Sequence, residues 1–416
     1  MSKSWQVTYD EIKGFIAQHP SIEIRTDVLS IPTDVRPDFY RLFDTLRDNF
    51  VKDNIPDFLE KTHALSSNHE RIRNELSTSL GLAEIEVETS LNDFIRSPLG
   101  LMTGLLSEPV FDLLMGKSAP GTFEEIAARK IVSAFEAFFH QGYKSWLTLS
   151  LLQLMSPDNA YIVPLSNDVS APYDYDIGNA GAQDKQMLPD AVPTSRLSFD
   201  RTQYFTLLVP KVIVHSKRLN VFVSLLQEFR FVPTEARYRN QQIEWYRLPE
   251  LIAKLGQGRI WPDLMIYLAG QPNDLLLVAD MFNVARPDII VNILHKRDLS
   301  EPGKLAMFKS QNDIFAPRLG SFIVSPEALS DAQIETLNSQ IQPQVQRIEN
   351  AEAQMPAGAT QLPESPLTPT TPGGPLPCDI KVLGVGYDAG KLEPIADAII
   401  QSQIYADLTS NQNAIT

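Results

Sequence analysis

Four residues between positions 258 and 327 are of types, and at places, that could do chemistry together. Asp263 precedes the apolar run Leu264–Leu268, and Asp280 follows the run Leu275–Ala279. Asn292 lies near the end of Asp288–Leu294, and Lys304 sits on the helical segment beyond it. Carboxylates at adjacent strand ends can hold a hard cation such as Mg²⁺ through oxygen ligands. A nearby lysine could then steady a charged transition state or orient a water. The competing reading is structural: Asp263 caps a strand, Asp280 is a turn residue, and Asn292 hydrogen-bonds at a strand end.

Short apolar runs between turn clusters must position these groups. Leu264–Leu268, Leu275–Ala279, Asp288–Leu294 and Ser321–Val324 each read as a buried strand. Pro302 suits a first helical turn, and Leu305 and Phe308 share a face three residues apart. The order is strand, strand, strand, helix, strand, a mixed α/β core.

At these residues the chain resembles the PD-(D/E)XK nuclease superfamily, in particular a group of small endonucleases abundant in cyanobacteria. Trp261-Pro262-Asp263 matches the family's Pro-Asp strand opening, and Arg286-Pro287-Asp288-Ile289-Ile290-Val291 its second element. Lys304–Phe308 resembles the helix, and Phe322-Ile323-Val324-Ser325-Pro326 the last strand. The resemblance implies a restriction-endonuclease-like core that binds Mg²⁺ and cleaves DNA phosphodiesters. It also implies that an acidic residue on the preceding helix, Glu250, joins Asp263 and Asp280 at the metal. Three positions depart from the pattern. The family's metal-binding Glu falls on Asn292, the Asp of the final strand falls on Ser325, and an acidic-x-Lys motif starting at Asp280 meets Phe282.

A chain of 416 residues, 43% hydrophobic, implies two globular domains and a tail. The single cysteine, Cys378, excludes an intrachain disulfide and a thiolate zinc cluster. The N-terminal stretch lacks a secretory signal, and no run of about 18 apolar residues suggests a membrane span, so a cytoplasmic protein is expected. The formal net charge of −15 disfavours nucleic acid, because phosphate contacts need an excess of Lys and Arg. The middle of the chain is more basic: Lys296, Arg297, Lys304, Lys309 and Arg318 lie in the candidate core.

Read in order, the chain is α+β, with an N-terminal helical domain over 1–160 followed by a mixed α/β domain. Thr8 and Thr122 each open a capping-box pattern ahead of a helix. Glu84–Glu88 alternates briefly but reads as a helix start. His63, His69 and Glu70 lie on a helix and read as a solvated stretch rather than a metal site. Trp146–Met155 is apolar nearly all round and is the candidate contact for a protein partner. A Pro/Asp-rich connection covers 161–196; Asp174–Asn179 within it falls short of a calcium loop.

The α/β domain spans 197–355. It includes strands at Tyr204–Val209 and Lys211–His215, an ambiguous stretch at Leu219–Phe231, a helix at Leu248–Leu255 and a helix from Asp331 to about Met355. A Pro/Thr/Gly-rich linker occupies 356–377. The segment 378–416 reads as a strand at Asp379–Gly386, whose glycines miss a dinucleotide-binding spacing, and a helix over Leu392–Leu408. No nucleophile elbow accompanies a histidine, so serine hydrolase chemistry is unsupported. The expectation is a non-catalytic binding or scaffolding protein with a degenerate nuclease-like domain; the alternative is a Mg²⁺-dependent endonuclease.

Overall fold

The computed structural model describes residues 3–24, 28–162, 191–199, 212–226, 245–255, 261–275, 283–341 and 378–401. The chain is mixed α+β and divides into two units, residues 1–74 with 87–147 and residues 75–86 with 148–416.

The first unit is helical, apart from a short antiparallel pair, β1 (Glu23–Ile24) and β2 (Leu29–Ser30). It holds α1 (Ser4–Gln18), α2 (Arg36–Asn54), most of α3 (Phe58–Leu80), α4 (Thr89–Arg96), α5 (Pro98–Gly104), α6 (Ser107–Leu114) and most of α7 (Pro120–Leu154). Phe39, Phe43, Leu46 and Phe50 recur at helical spacing and are all buried, as an amphipathic helix requires. Trp5 anchors this core, its ring centroid 5.4 Å from Phe50 and 5.5 Å from Phe123.

Both expected capping boxes are displaced. Thr8 lies inside α1, where its hydroxyl donates to the Ser4 carbonyl at 3.2 Å; the helix start is held by Asp53, which accepts from the Trp5 amide at 2.9 Å. Thr122 lies inside α7, which begins at Pro120; a proline has no amide to leave unpaired in the first turn. His63 and Glu70 are exposed while His69 is buried, so the three do not converge.

The second unit is built on an eight-stranded sheet. Its strands are β4 (Pro157–Ile162), β5 (Val192–Pro193), β7 (Ile213–Ser216), β8 (Val221–Leu226), β10 (Leu264–Ala269), β12 (Ile289–Ile293), β13 (Gly320–Val324) and β14 (Ile380–Leu383). The order is β14-β13-β12-β10-β8-β7-β4-β5. β12, β13 and β14 run parallel, and the remaining neighbours are antiparallel. α9 (Pro302–Phe315) connects β12 to β13, and α10 (Asp331–Ile341) follows β13. Every residue of β12 and β13 is buried, which is why both read as continuous apolar runs.

Three expectations change here. Glu84–Glu86 is a strand, β3, paired in parallel with β6 (Arg196–Ser198); the Arg196 guanidinium meets Glu84 at 2.7 Å and Glu86 at 3.4 Å, so cross-strand charge favours the extended form. The ambiguous stretch after Leu219 opens as β8, the antiparallel neighbour of β10. Leu275 closes a 3₁₀ turn, Pro272–Leu275, rather than opening a strand, and 276–279 lie outside the described residues. The expected strand Tyr204–Val209 and the candidate calcium loop at Asp174–Asn179 also lie outside them.

A separate ribbon pairs β9 (Trp245–Arg247) with β11 (Asn283–Ala285), and α8 (Leu248–Leu255) follows β9. The last helix, α11, covers 393–401. No helix among the described residues is long and apolar enough to cross a membrane. In the stretch offered as a partner contact, Trp146, Leu147, Leu149, Leu151, Leu152 and Met155 are each fully buried within the chain, so these side chains offer no open surface.

Candidate functional site

Because β10 is antiparallel to β12, the start of β10 lies at the same sheet edge as the ends of β12, β13 and β14. This carboxyl edge is where open α/β sheets usually take ligands. The β10–β12 register pairs Leu264 with Val291, and one further step sets Asp263 opposite Asn292. Of the four expected residues that are described, the fold therefore brings together two.

The two differ from the pair of carboxylates that the resemblance implies. One Asp263 oxygen, Oδ2, accepts from the Ile293 amide at 2.7 Å, pinning the start of β10 to the end of β12. Asn292 is 1% exposed, and its Nδ2 finds no acceptor among the described residues. An oxygen-loving cation opposite Asp263 meets a neutral carboxamide instead of a second carboxylate. Asp263 and Asn292 by themselves therefore fall short of the ligand set that the resemblance implies. Among the described residues no group of three His, Cys, Asp or Glu side chains could hold a metal ion.

Lys304 and Glu250 do not join Asp263 among the described residues. Lys304 lies in α9 with its ammonium 5.6 Å from the Phe308 ring centroid. Glu250 is exposed in the first turn of α8. Neither makes a hydrogen bond or ion pair with Asp263 among the described residues. Asp280 and Phe282 lie outside the described residues.

Residues that sequence reading passed over fill the rest of the edge. The His295 amide donates to Asp298 Oδ2 at 3.2 Å, and the Asp298 amide donates to the His295 carbonyl at 2.9 Å, closing the 3₁₀ turn Lys296–Ser300. Glu327 Oε2 accepts from the Lys296 amide at 3.1 Å, tying the end of β13 to the end of β12. The Gly386 amide donates to the Ser325 carbonyl at 2.9 Å and joins β14 to the same edge. Gly386 has φ +57°, a conformation that glycine adopts without strain. Burial, followed by the Glu327 carboxylate, pushes the Tyr387 phenol well above the usual range.

Asp288, within the second matched element, sits at the opposite edge. It is 3% exposed, accepts from the Leu268 amide at 2.8 Å through Oδ2, and pairs with Arg318 at 2.6 Å through Oδ1. This is a structural lock between β10, β12 and the approach to β13.

Comparison with protein-family models, with curated proteins and with solved structures finds no match to this chain.

Proposed function

We propose that this chain is a non-catalytic binding protein whose second unit carries a nuclease-like sheet. The observation that carries the reading is the residue opposite Asp263. Position 292, where the resemblance implies a catalytic acid, holds a buried carboxamide. Two places on, where an acidic-x-Lys motif would put its lysine, Leu294 packs in the apolar cluster with Phe308 and Ile323. A phosphodiester-cleaving centre of the implied kind draws on two carboxylates, a cation and a lysine. Among the described residues one carboxylate, Asp263, stands at this place, and it accepts from a backbone amide.

The succession β8, β10, β12, α9, β13 supports the nuclease-like part of the reading: an antiparallel meander, a helix, and a parallel return strand. The binding target we favour is a protein. A net charge of −15 opposes a polyanion, and the single cysteine suits a reducing compartment.

The test incubates the full chain with supercoiled plasmid and Mg²⁺ or Mn²⁺, beside Asp263→Ala, with size-exclusion and pull-down measurements in parallel. Neither protein should nick the plasmid, and a stable protein complex or oligomer should form. Cation-dependent nicking by the wild type that disappears in Asp263→Ala would overturn the reading.

A further inference from the structure

Asn292 carries a buried donor with no acceptor supplied by its neighbours. It is 1% exposed near the end of β12, and its Nδ2 has no hydrogen-bond partner among the described residues. Native chains satisfy nearly every buried donor, through protein atoms or ordered water, because an unmade bond costs the desolvation of the group. Whatever answers Nδ2 must present an acceptor.

The surroundings of that donor follow from two periodicities. Residues alternate between the faces of a strand, so Ile290, Asn292 and Leu294 share one face of β12. Phe308, Gln311 and Phe315 stand three and four apart and share one face of α9. Leu294 and Phe308 belong to one apolar cluster. Ile290 and Phe315 belong to another. Gln311 is the middle member of its row, as Asn292 is of its own, and it has no exposed surface. The two rows therefore meet apolar against apolar at both ends and carboxamide against carboxamide between. The β10–β12 register adds a third group, since Asp263 stands opposite Asn292 on the face that carries Met265 of the second cluster.

We infer that Asn292, Gln311 and Asp263 hold one internal water between the sheet and α9. Asn292 Nδ2 donates to the water oxygen, and the water hydrogens go to the Gln311 carbonyl and the Asp263 carboxylate. Gln311 and Asp263 both interact elsewhere as well, and a carbonyl or carboxylate oxygen accepts more than one hydrogen. Buried waters are kept by roughly two to four polar partners, and three side chains from three elements supply them here. An anion fits poorly, because Asp263, Asp298 and Glu327 lie along the same edge. A cation would meet the Nδ2 hydrogens. The inference does not depend on the nuclease-like reading.

The test pairs a crystal structure of the full chain with NMR of the same chain labelled at asparagine nitrogen. A water oxygen should lie about 2.7–3.2 Å from Asn292 Nδ2 and within the same reach of Gln311 or Asp263. In solution the Asn292 side-chain amide should show a dipolar cross-peak to water, with the sign of a molecule that stays bound longer than the chain takes to tumble. Gln311→Met keeps the length of the side chain and removes its acceptor. That cross-peak should then weaken by roughly half, since one of the two acceptors is lost.

An Asn292 Nδ2 bonded directly to a protein oxygen, with no water in reach, would overturn the inference. So would a wild type with no cross-peak, or an unchanged cross-peak in folded Gln311→Met. The wild-type crystal and spectrum decide the question by themselves if that variant does not fold.

Discussion

Replacing Asp263 separates a structural carboxylate from a catalytic one. Asp263 Oδ2 is 2.7 Å from the amide of Ile293, a residue with no exposed surface. Alanine removes the acceptor and leaves that N–H buried. Hydrogen bonds to charged groups contribute about 1.5–3 kcal/mol, and an orphaned buried donor costs about 1–3 kcal/mol. These overlap as one event, so Asp263→Ala should destabilise the end of β12 by about 2 kcal/mol. Asparagine keeps an oxygen that can accept, so Asp263→Asn should cost under about 1 kcal/mol. A two-unit chain need not unfold in one step, which makes residue-resolved amide exchange the suitable assay. A 2 kcal/mol loss is about thirtyfold faster exchange at Ile293. The reasoning fails if alanine leaves Ile293 exchange unchanged. It also fails if the wild type shows cation-dependent cleavage that is lost equally in both variants, because a ligand role is not rescued by a carboxamide.

Asp288→Ala should destabilise the sheet by about 2–3 kcal/mol, since it orphans the Leu268 amide and releases a half-exposed Arg318; urea unfolding measures it, and a loss below about 0.5 kcal/mol would refute the lock. His69 is buried against Ser145 Oγ at 3.0 Å, and burial, then the Arg73 charge, lowers its pKa from 6.5 to about 4. The fold prefers the neutral ring, so its contribution is complete above about pH 6.5 and is lost as pH falls toward 4, about 3 kcal/mol in all. Stability of His69→Gln over that window should be flatter than wild type, and parallel curves would refute the assignment. Gly142→Ala places a Cβ 2.6 Å from Leu65 Cδ2 inside the α3–α7 contact; a cost of about 1–3 kcal/mol in thermal unfolding should outweigh the helix-propensity gain of about 1 kcal/mol.

What the sequence made legible follows from burial. β12 and β13 are covered on both faces, so their residues are apolar in unbroken runs, and the strand–helix–strand order of Asp288–Val324 could be read directly. Helix starts were misplaced because capping patterns are local, while the real fastening at α1 is Asp53, far along the chain. β8 was ambiguous because its aromatic and aliphatic residues suit either element, and pairing with β10 decides between them. Glu84–Glu86 needed Arg196, more than a hundred residues away, to become a strand. In the candidate site, Asp263 and Asn292 were identifiable as types at strand ends. Their placement opposite one another depends on register, which no local pattern encodes. The sequence offered Asp263 as a strand cap, but no local pattern identifies Ile293, on another strand, as the amide it answers.

The same contrast explains what the carboxyl edge does. A cation or phosphate centre needs acidic oxygens directed at a common point, and the strand ends must leave room for a ligand. At this edge the carboxylates are instead divided among neighbouring backbones: Asp263 accepts from Ile293, Asp298 from His295, and Glu327 from Lys296. Each bond joins a loop to a strand end, so all three act to hold the edge closed. Substituting any of them should first appear as faster amide exchange at its partner residue, and the three effects should differ with the burial of that partner. Ile293 is fully buried, His295 is 7% exposed and Lys296 is exposed, so the losses should rank in that order. An edge built for chemistry would show the opposite, with activity lost ahead of any change in exchange.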